Sequence, residues 1–441
     1  MGMTWGLAGA RAASPTLTDR ASGRMLDGMS ESPQPLPPQS SWQRSLWVMV
    51  AVQFVMSVSF SIVAPIMPLF LPDLGVQSAS AVNMWSGVLA SATSFVAMFT
   101  APIWGGMADR YGRKLMVLRS TVGIAIFTLL RGIAQGPWQM LALRAGMGAV
   151  AGFSSASTVM VASQVPEHRL GYAMGWMSTG QLVGSLIGPV IGGGLADLTG
   201  SYRFPFFFAG VLSLGAFLVT LVMVRERFTP PEKSKRATSV RAAIGVIRVT
   251  KGMPALILVI LMCQFATQAV LPVVTLHVQD MLGPRPDLAT VGGLAFSVTG
   301  LAGVLAVPFL GKRSDAIGYR STLLICLAGA ALFTLPQALP FGYAAFVVER
   351  FGLGLFVGGV LPAANALVGR LTDPAQRGLT YGVIASAYFL GNTLGPLTGG
   401  AVAATVGINW VFAVTAAILL MNLTWVWATV PEPKRTAEGT T

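Results

Sequence analysis

The chain has 441 residues, of which 54% are hydrophobic and 10% are charged, and its formal net charge is +13. A soluble domain has about 25% charged residues, so this composition indicates a membrane protein. The net charge could suggest a nucleic-acid-binding protein, but the basic residues lie between long apolar segments, which argues against that class.

Residues 1 to 41 are rich in Ser, Pro, Gly and Ala and contain no apolar run. They therefore predict neither a signal peptide nor a folded domain, but a disordered cytoplasmic tail that extends to residue 43. The segment that begins at Met29 is typical of a short cytoplasmic N-terminus. We therefore expect translation to start at Met25 or Met29.

Twelve runs with few or no charges follow the tail, and each is long enough to cross a hydrocarbon core of about 30 Å. The runs lack the alternation of a membrane β-barrel, and the backbone polar groups of a lipid-exposed segment must be satisfied internally, so we predict helices. The fold class is therefore an all-α membrane protein with twelve transmembrane helices. The predicted spans are 46–70, 82–107, 115–135, 138–163, 171–196, 204–224, 253–276, 289–311, 321–340, 342–367, 378–402 and 408–430.

The basic residues fall mainly on one side of these spans. If the N-terminus is cytoplasmic, the cytoplasmic segments contain 24 of the 29 Lys and Arg residues. Arg131, Arg203 and Arg285 fall on the other side, and Arg144 and Arg350 lie within spans. By the positive-inside rule, this asymmetry predicts that both termini are cytoplasmic.

The decapeptide GGMADRYGRK places one acid, three bases and three glycines in the short turn between spans 2 and 3. Positive-inside charge explains the bases but not the acid or the spacing of the glycines. We therefore interpret the decapeptide as a functional motif of the form G-x-x-x-D-R-x-G-R-K. Its residues are Gly105, Asp109, Arg110, Gly112, Arg113 and Lys114.

Span 5 contains the sequence GQLVGSLIGPVIGGGLAD, which begins at Gly180. Small residues at every fourth position let helices approach closely, and a proline frees a backbone carbonyl and bends the helix. Tight helix packing is expected here whatever the function. The motif residues are Gly184, Gly188, Pro189, Gly192 and Gly193.

Three ionisable residues lie well inside predicted spans, namely Arg144, Glu349 and Arg350. An arginine within a membrane is costly unless it faces water or a partner, so a functional role is the default hypothesis. Glu349 is either the structural partner of an arginine or a group that binds a proton, and the sequence leaves both open. Asp73 lies at the outer end of span 1, and Asp280 is its weaker counterpart in the second half. A helix-end role is therefore favoured over a proton-carrying one.

The longest polar interruption, residues 225–252, has eight bases against Glu226 and Glu232 and predicts a cytoplasmic linker. It separates a first half, residues 44–224, from a second half, residues 253–430, and a short cytoplasmic tail follows at 431–441. An internal repeat supports this division, because positions recur at an offset of 206 residues. The recurring pairs include Gly105 and Gly311, Asp109 and Asp315, Gly112 and Gly318, and Arg144 and Arg350. At an offset of 207, GPVIGG at 188–193 recurs as GPLTGG at 395–400.

The sequence contains no feature that indicates an enzyme. Cys263 and Cys326 lie in apolar spans without disulfide or metal spacing, and His168 and His277 show no ligand spacing. There is no Walker-type phosphate loop for nucleotide-driven pumping. We therefore expect no metal, no cofactor and no catalytic residues, and any energy must come from ion gradients.

The two motifs and the parallel repeat of six helices resemble the major facilitator superfamily. The resemblance covers about residues 44 to 430. The helix 5 motif is similar to that of the family's proton-coupled exporters, although its copy in the second half slightly weakens the argument. The stretches SAVNMWSG, from Ser80, and WGGMADRYGRKLMVLRS, from Trp104, narrow the resemblance to one subgroup of twelve-helix drug:proton antiporters.

The resemblance implies a role for each motif. Asp109 and Arg113 would hold the cytoplasmic side closed in one state and part in the other, and GKRSDAIGYR, with Asp315 and Gly318, is a weakened copy of this gate. Arg144 would match the family's R-x-x-x-G motif in helix 4. Helix 1 departs from many proton-coupled relatives because it has no acid in its middle, which leaves the proton carrier open. The candidates for proton coupling are Arg144, Glu349, Arg350 and Asp73, and the arginines would sense the charge of a carboxylate.

A drug exporter of this type needs a cavity that is apolar with a few polar anchors. Candidates share a face of helix 1, 5, 7 or 11 at spacings of three or four residues. They are Gln53, Met56, Phe60, Met177, Gln181, Gln264, Gln268, Tyr388 and Asn392. The prediction is thus a multi-pass inner-membrane exporter of amphiphilic drugs by proton antiport, acting as a monomer. A solute importer of the same fold and a non-transporting membrane sensor or scaffold are the alternatives.

Overall fold

The protein is described by a computed structural model that covers residues 39–224, 226, 253–339, 341–372 and 377–430. The predicted N-terminal tail up to residue 38, nearly all of the predicted linker and the predicted C-terminal tail lie outside the described residues. The described residues from Arg44 onward belong to one compact unit. Within the described ranges the regular secondary structure is helical, with no β-strand.

The first half contains six predicted spans in eight α-helices. These are α1 Gln39–Ser61, α2 Met67–Phe70, α3 Ala79–Tyr111, α4 Arg113–Gly132, α5 Pro137–Ala149, α6 Phe153–Ala162, α7 Leu170–Thr199 and α8 Phe204–Met223. Two short 3₁₀ turns, Pro72–Leu74 and Glu167–Arg169, precede α3 and α7.

The second half repeats this order with one break fewer. Its helices are α9 Met253–Ala269, α10 Val274–Leu282, α11 Leu288–Ile317, α12 Tyr319–Thr334, α13 Tyr343–Leu371, α14 Arg377–Thr405 and α15 Ile408–Thr429. A 3₁₀ turn, Pro336–Ala338, follows α12.

Among the described residues, eleven segments are long and apolar enough to cross a membrane. The remaining predicted span coincides with α14, which has 29 residues but is less apolar because it carries residues such as Asn392 and Thr393. The architecture is therefore the predicted all-α membrane fold, with twelve transmembrane helices in two six-helix bundles.

Three predicted spans are not the continuous helices that hydropathy suggested. Span 1 breaks between Ser61 and Met67, and span 7 breaks between Ala269 and Val274. Pro65 and Pro272 lie in these breaks at equivalent positions of the repeat, and proline cannot donate the backbone hydrogen bond of a continuing helix.

Span 4 breaks for a different reason, because α5 ends at Ala149 and α6 begins only at Phe153. Gly152 joins them with a φ of 114°, a conformation that side chains other than glycine strongly disfavour. Hydropathy did not predict this break because an isolated glycine is common within a membrane helix.

The repeat is also present in the packing of the helices. In each half, three glycines lie so close to a neighbouring helix that an added Cβ would fall on a backbone carbonyl. In the first half, Gly184, Gly188 and Gly192 of α7 lie on the carbonyls of Phe54, Val58 and Ile62. In the second half, Gly391, Gly395 and Gly399 of α14 lie on those of Leu261, Phe265 and Ala269. Every pair is displaced by 207 residues, so both halves build this contact in the same way.

The two ends of the bundles are packed differently. We call the end where α8 stops and α9 begins the linker end, and the end where α7 stops and α11 begins the far end. A buried apolar cluster at the far end joins both halves and includes Phe70, Phe206, Val273 and Phe412. A second cluster lies nearer the linker end and contains residues of the second half alone. The halves are therefore held together mainly at the far end.

Candidate functional site

The first gate motif is mostly helical and is not the short turn that we predicted. Helix α3 continues to Tyr111, so Gly105 lies in its last two turns and the chain reverses at Gly112 alone. Gly112 has φ 94° and ψ 155°, and Gly318 has φ 92° and ψ 151° at the equivalent position of the second half. This backbone conformation is accessible almost exclusively to glycine, which explains why both copies keep glycine there.

Among the described residues, the gate motif has open space around its first glycines. An added Cβ at Gly105, Gly106 or Gly311 would meet no atom of a neighbouring helix within 4 Å. The side chains of Asp109 and Asp315 lie outside the described part of the structure, so the latch that the resemblance implies at Asp109 stays a prediction.

The N-terminus of α4, which carries the end of the motif, is capped by an acid from outside the motif. The carboxylate of Glu226 accepts hydrogen bonds from the backbone N–H groups of Arg113 at 3.0 Å and Lys114 at 2.7 Å. The Nζ of Lys114 also donates to the Leu221 carbonyl at 2.9 Å. Sequence analysis assigned Glu226 to the linker without a role. The signal in the sequence that could have pointed to this role was the position of Glu226 just after the end of span 6.

Arg119 and Trp104 hold the break of span 4 against α3 and α4. The Arg119 guanidinium lies 3.3 Å from the centroid of the Trp104 ring and donates to the Ala151 carbonyl at 3.0 Å. Trp104 Nε1 donates to the Ala149 carbonyl at 2.7 Å. The carbonyls exposed by the helix break are thus satisfied by side chains of the neighbouring helices.

The helix 5 motif packs in two directions. Gly184, Gly188 and Gly192 face α1 within the first half, whereas a Cβ at Gly193 would fall on the Ala289 carbonyl of α11. In return, a Cβ at Gly293 of α11 would fall on the Pro189 carbonyl. The motif therefore brings the two halves into backbone contact as well as packing its own half.

The copy of the motif builds the same contact on the opposite side of the molecule. Gly400 of α14 lies against Gly87 and the Asn83 carbonyl of α3, and a Cβ at Gly87 would fall on the Pro396 carbonyl. The far end is thus closed by two related junctions, α7 with α11 and α3 with α14.

Hydrogen bonds across these junctions lie near the helix ends. In the first junction the Asp197 carboxylate accepts from the backbone N–H groups of Ala289 at 3.3 Å and Thr290 at 2.7 Å, and from the Thr290 hydroxyl at 2.5 Å. In the second, Ser80 Oγ donates to the Ala404 carbonyl at 2.8 Å and Asn83 Nδ2 to that of Ala403 at 3.2 Å. Asp197 was not singled out from the sequence, although it belongs to the span 5 stretch that carries the helix 5 motif.

Three arginines are embedded in the far half of the helices. Arg350 is 5% exposed, and its Nε donates to the Ala295 carbonyl at 3.3 Å. Arg144 has a buried Nε for which the described residues provide no hydrogen-bond partner. Arg131, which we counted on the non-cytoplasmic side of the spans, is 3% exposed, and its guanidinium lies 5.3 Å from the centroid of the Phe206 ring.

The candidate carboxylates lie apart from these arginines. Glu349 is half-buried on α13, and the ion pair recorded among the described residues is instead that of Arg285 with Asp287. A structural ion pair of Glu349 with Arg144 or Arg350 is therefore not formed in this structure. Asp73 and Asp280 are exposed near helix ends, as expected for helix-end residues.

The polar cavity candidates form a related cluster in each half. Gln53 Oε1 accepts from Ser157 Oγ at 2.9 Å, and Gln53 Nε2 donates to Gln181 Oε1 at 3.3 Å. In the second half, Gln264 Nε2 donates to Asn392 Oδ1 at 3.1 Å. Ser157 was missed in the sequence because a serine in an apolar span usually bonds its own helix backbone.

The apolar cavity candidates differ in their accessibility. Phe60 and Tyr388 are 44% and 40% exposed, whereas Met56 and Met177 are 1% and 3% exposed. Both methionines are buried in this structure, as are Gln53 and Gln264, and their place on the cavity wall stays a prediction. Gln268 is half-buried.

A cavity of about 260 Å³ lies between α9, α13 and α14 and contains one of the predicted residues, Tyr388. Its lining is Ile260, Leu361, Asn365, Ile384, Ala385, Tyr388 and Phe389. Asn365, a polar anchor on α13, was not predicted from the sequence.

The cysteines pack in the second half. Cys263 and Cys326 are both buried and free. His277 is also buried, with its ring 4.8 Å from that of Phe412 and 5.1 Å from that of Phe346. In the described part of the chain, no three His, Cys, Asp or Glu residues are grouped to hold a metal ion.

Known proteins are similar to this sequence over nearly its whole length. The model of the Major Facilitator Superfamily matches residues 49–284 and 287–441. The multidrug resistance protein MdtG of Serratia proteamaculans is 40% identical over 393 residues, 89% of this chain and 95% of that protein. The protein of the same name from Proteus mirabilis is 37% identical over 399 residues, 90% of this chain and 99% of that protein.

Solved structures share the fold at low sequence identity. A D-xylose–proton symporter has a TM-score of 0.72 at 16% identity, covering 89% of this chain and 99% of its own. The nucleoside transporter NupG has a TM-score of 0.69 at 15% identity, covering 88% of this chain and all of its own. With the family match and the relatives above, these likenesses establish that the chain belongs to the major facilitator superfamily.

Proposed function

We propose that this protein is a secondary active transporter that exports drugs or other amphiphilic small molecules by proton antiport. The observation that carries the proposal is the identity of 37–40% to multidrug resistance proteins over about nine tenths of the chain. The motif residues Gly105 to Lys114 and Gly184 to Gly193, on which the resemblance was based, support the same subgroup.

The proposed orientation places the linker end in the cytoplasm of a cell whose inner membrane holds the protein. Most of the basic residues near the helix ends lie at this end. They are Arg110, Arg113, Lys114, Arg169, Lys312, Arg313, Arg320 and Arg370. By the positive-inside rule, a cytoplasmic linker end accounts for this distribution. The structure is then closed toward the outside and open toward the cytoplasm, the state in which an exporter takes up its substrate.

The proposed substrate path runs between the two halves, past the clusters around Gln53 and Gln264. Amide and hydroxyl groups there offer both donors and acceptors, and Phe60 and Tyr388 add exposed aromatic surface. Such a surface suits amphiphilic molecules, because apolar contact supplies affinity and a few polar groups fix orientation.

The proposed coupling uses the pH gradient, since alternation must be biased by a group that binds the proton differently in the two states. Glu349 is our first candidate because it lies in the span region without an ion pair among the described residues. Arg144 and Arg350 would respond to its charge, and Asp73 is the second candidate.

Transport in proteoliposomes tests the function. Protein of known orientation is reconstituted with a panel of fluorescent amphiphilic drugs of positive, neutral and negative charge. We expect drug to accumulate on the acidic side, which corresponds to the outside of the cell, and a protonophore to abolish the accumulation.

Asp109→Asn serves as the matched variant, because it removes the gate charge without touching the cavity. We expect it to insert and bind drug but to lose most of its flux. Gradient-independent movement of drug, or accumulation from the outside inward, would overturn the assignment as a proton-coupled exporter.

A further inference from the structure

The far end contains a cap that crosses between the two halves. Helix α11 begins at Leu288, and its first N–H groups have no partner within the helix. Asp287, which immediately precedes α11, makes no side-chain cap. The cap comes instead from Asp197 in the last turn of α7, which binds the N–H groups of Ala289 and Thr290 and the Thr290 hydroxyl.

Asp287 is committed to a partner in its own half. It pairs with Arg285, and this hydrogen bond lowers the pKa of the Asp287 carboxyl below its ordinary value. The two acids at this helix terminus therefore differ in one respect. Asp287 binds within the second half, whereas Asp197 connects the second half to the first.

The second junction of the far end has no equivalent charge. The repeat places Ala404 at the position that corresponds to Asp197, and the contact there is the neutral hydrogen bond from Ser80 to the Ala404 carbonyl. The contact made by Asp197 is stronger in kind, because a carboxylate at a helix N-terminus interacts with the helix dipole as well as with individual N–H groups.

Opening of the far end must break this contact. Gly193 and Gly293 hold α7 and α11 in backbone contact just beside Asp197, so the halves cannot separate there without removing the carboxylate from the amides. An interaction that exists in one state and not in the other shifts the equilibrium between them by its own free energy.

We propose that Asp197 is a positioning residue of the far gate, which stabilises the state that is closed at the far end and open at the linker end. This inference rests on the proposed transport function for its biological meaning. The conformational equilibrium itself is measured without any substrate or gradient. Failure of the proposed role of Asp197 and failure of the drug-export proposal are therefore distinguishable.

The test measures the distance across the far end by electron spin resonance in detergent and in nanodiscs. Spin labels are placed at Trp138→Cys and Leu339→Cys, one in each half, in a background with Cys263→Ala and Cys326→Ala. Both sites are exposed, at 72% and 51%, and lie near the far end. Asp197→Asn should raise the ratio of far-end-open to far-end-closed molecules about 10- to 150-fold, the range expected for one charge-assisted hydrogen-bonded contact.

Asp287→Asn is the matched control, since it makes the same change at the same helix terminus but removes a bond within one half. It should leave the distance distribution unchanged. Thr290→Val removes one donor to Asp197 and should shift the distribution in the same direction by a smaller factor, while Asp197→Glu should recover part of the closed population.

An unchanged distance distribution in both Asp197→Asn and Thr290→Val would contradict the proposed role of Asp197. An equal shift in Asp287→Asn would contradict it as well. If Asp197→Asn does not yield folded protein, Thr290→Val and Asp197→Glu decide the question by the same measurement.

Discussion

The glycines of one decapeptide have different tasks in this protein. Gly112 makes the turn between α3 and α4 in a backbone conformation that other residues avoid, whereas Gly105 lies in the exposed last turns of α3 with open space around it. The motif therefore contains one glycine, Gly112, that the turn requires, and another, Gly105, that leaves space for a contact that changes during the transport cycle.

Replacing these glycines by alanine separates the two tasks. Gly112→Ala should lower the free energy of unfolding by about 1–3 kcal/mol, because alanine is strained at this φ and ψ. Gly105→Ala should be neutral or stabilise the helix by up to about 1 kcal/mol. Thermal unfolding in detergent at one scan rate measures both effects, and similar changes at the two positions would contradict the assignment.

Glu349 is the residue on which the coupling hypothesis depends. Glu349→Gln should mimic the protonated side chain, so exchange of drug between two preloaded compartments should survive while uphill transport is lost. The physical reason is that a gradient does work only through a group whose charge differs between states. Counterflow and pH-driven uptake are measured in the same proteoliposomes.

Two other results would redirect the search. Uphill transport by Glu349→Gln would place the proton carrier elsewhere, with Asp73 and Asp109 next. Loss of exchange together with uphill transport would favour a structural role for Glu349.

At the scale of helices, small residues determine which elements can touch. Helices α7 and α14 approach α1 and α9 over repeated glycines, and the same motifs continue into the contact between the halves through Gly193 and Gly400. In lipid, such close packing supplies association energy that burial of apolar surface cannot supply.

A pair of equivalent glycines tests this packing. Gly192→Ala and Gly399→Ala should each destabilise the protein by about 1–3 kcal/mol, since the new methyl group would fall on the carbonyl of Ile62 or Ala269. Gly194→Ala is the control, because no atom lies within 4 Å of its Cβ position. The yield of monodisperse protein and its apparent Tm are the measurements, and an equal effect of Gly194→Ala would show that the contact is unimportant.

The cap on α4 connects two helices that are not neighbours in the chain. Glu226→Ala should cost about 0.5–2 kcal/mol, the range for loss of a helix cap, because two N–H groups at the start of α4 lose their acceptor. Glu167→Ala removes an exposed acid before α7 and should leave the apparent Tm unchanged. A Glu226→Ala protein with unchanged Tm would show that solvent replaces the cap.

On the scale of the whole molecule, two similar bundles are joined at the far end and separated around the gate motif at the linker end. The far-end junctions are equivalent in their glycines but differ in charge, because Asp197 occupies a position where the second half has Ala404. This departure from the repeat favours the state that is closed at the far end over the state that is closed at the linker end.

The N-terminal tail should be dispensable for transport. The first described helix begins at Gln39, so deletion of residues 2 to 28 removes none of the described helices. We expect unchanged drug efflux at equal expression, measured in cells and in proteoliposomes. A large loss of efflux at equal expression would show that the tail contributes to the transport cycle.

The sequence by itself was sufficient to predict the helical spans, the repeat and the family, because apolar length and motif spacing are local properties. The turn glycines Gly112 and Gly318 and the buried cysteines were likewise found from local patterns. The breaks at Pro65 and Pro272 were visible as prolines, but hydropathy treats a broken span and a continuous one alike.

Only the tertiary structure decided which polar groups meet. Glu226 caps a helix that begins more than one hundred residues earlier, and Asp197 caps one that belongs to the other half. Neither contact has a signal in local spacing, since each depends on how separate helices are placed in space. The burial of Met56 and Met177 has the same origin, because one helix face serves packing or cavity according to which neighbour covers it.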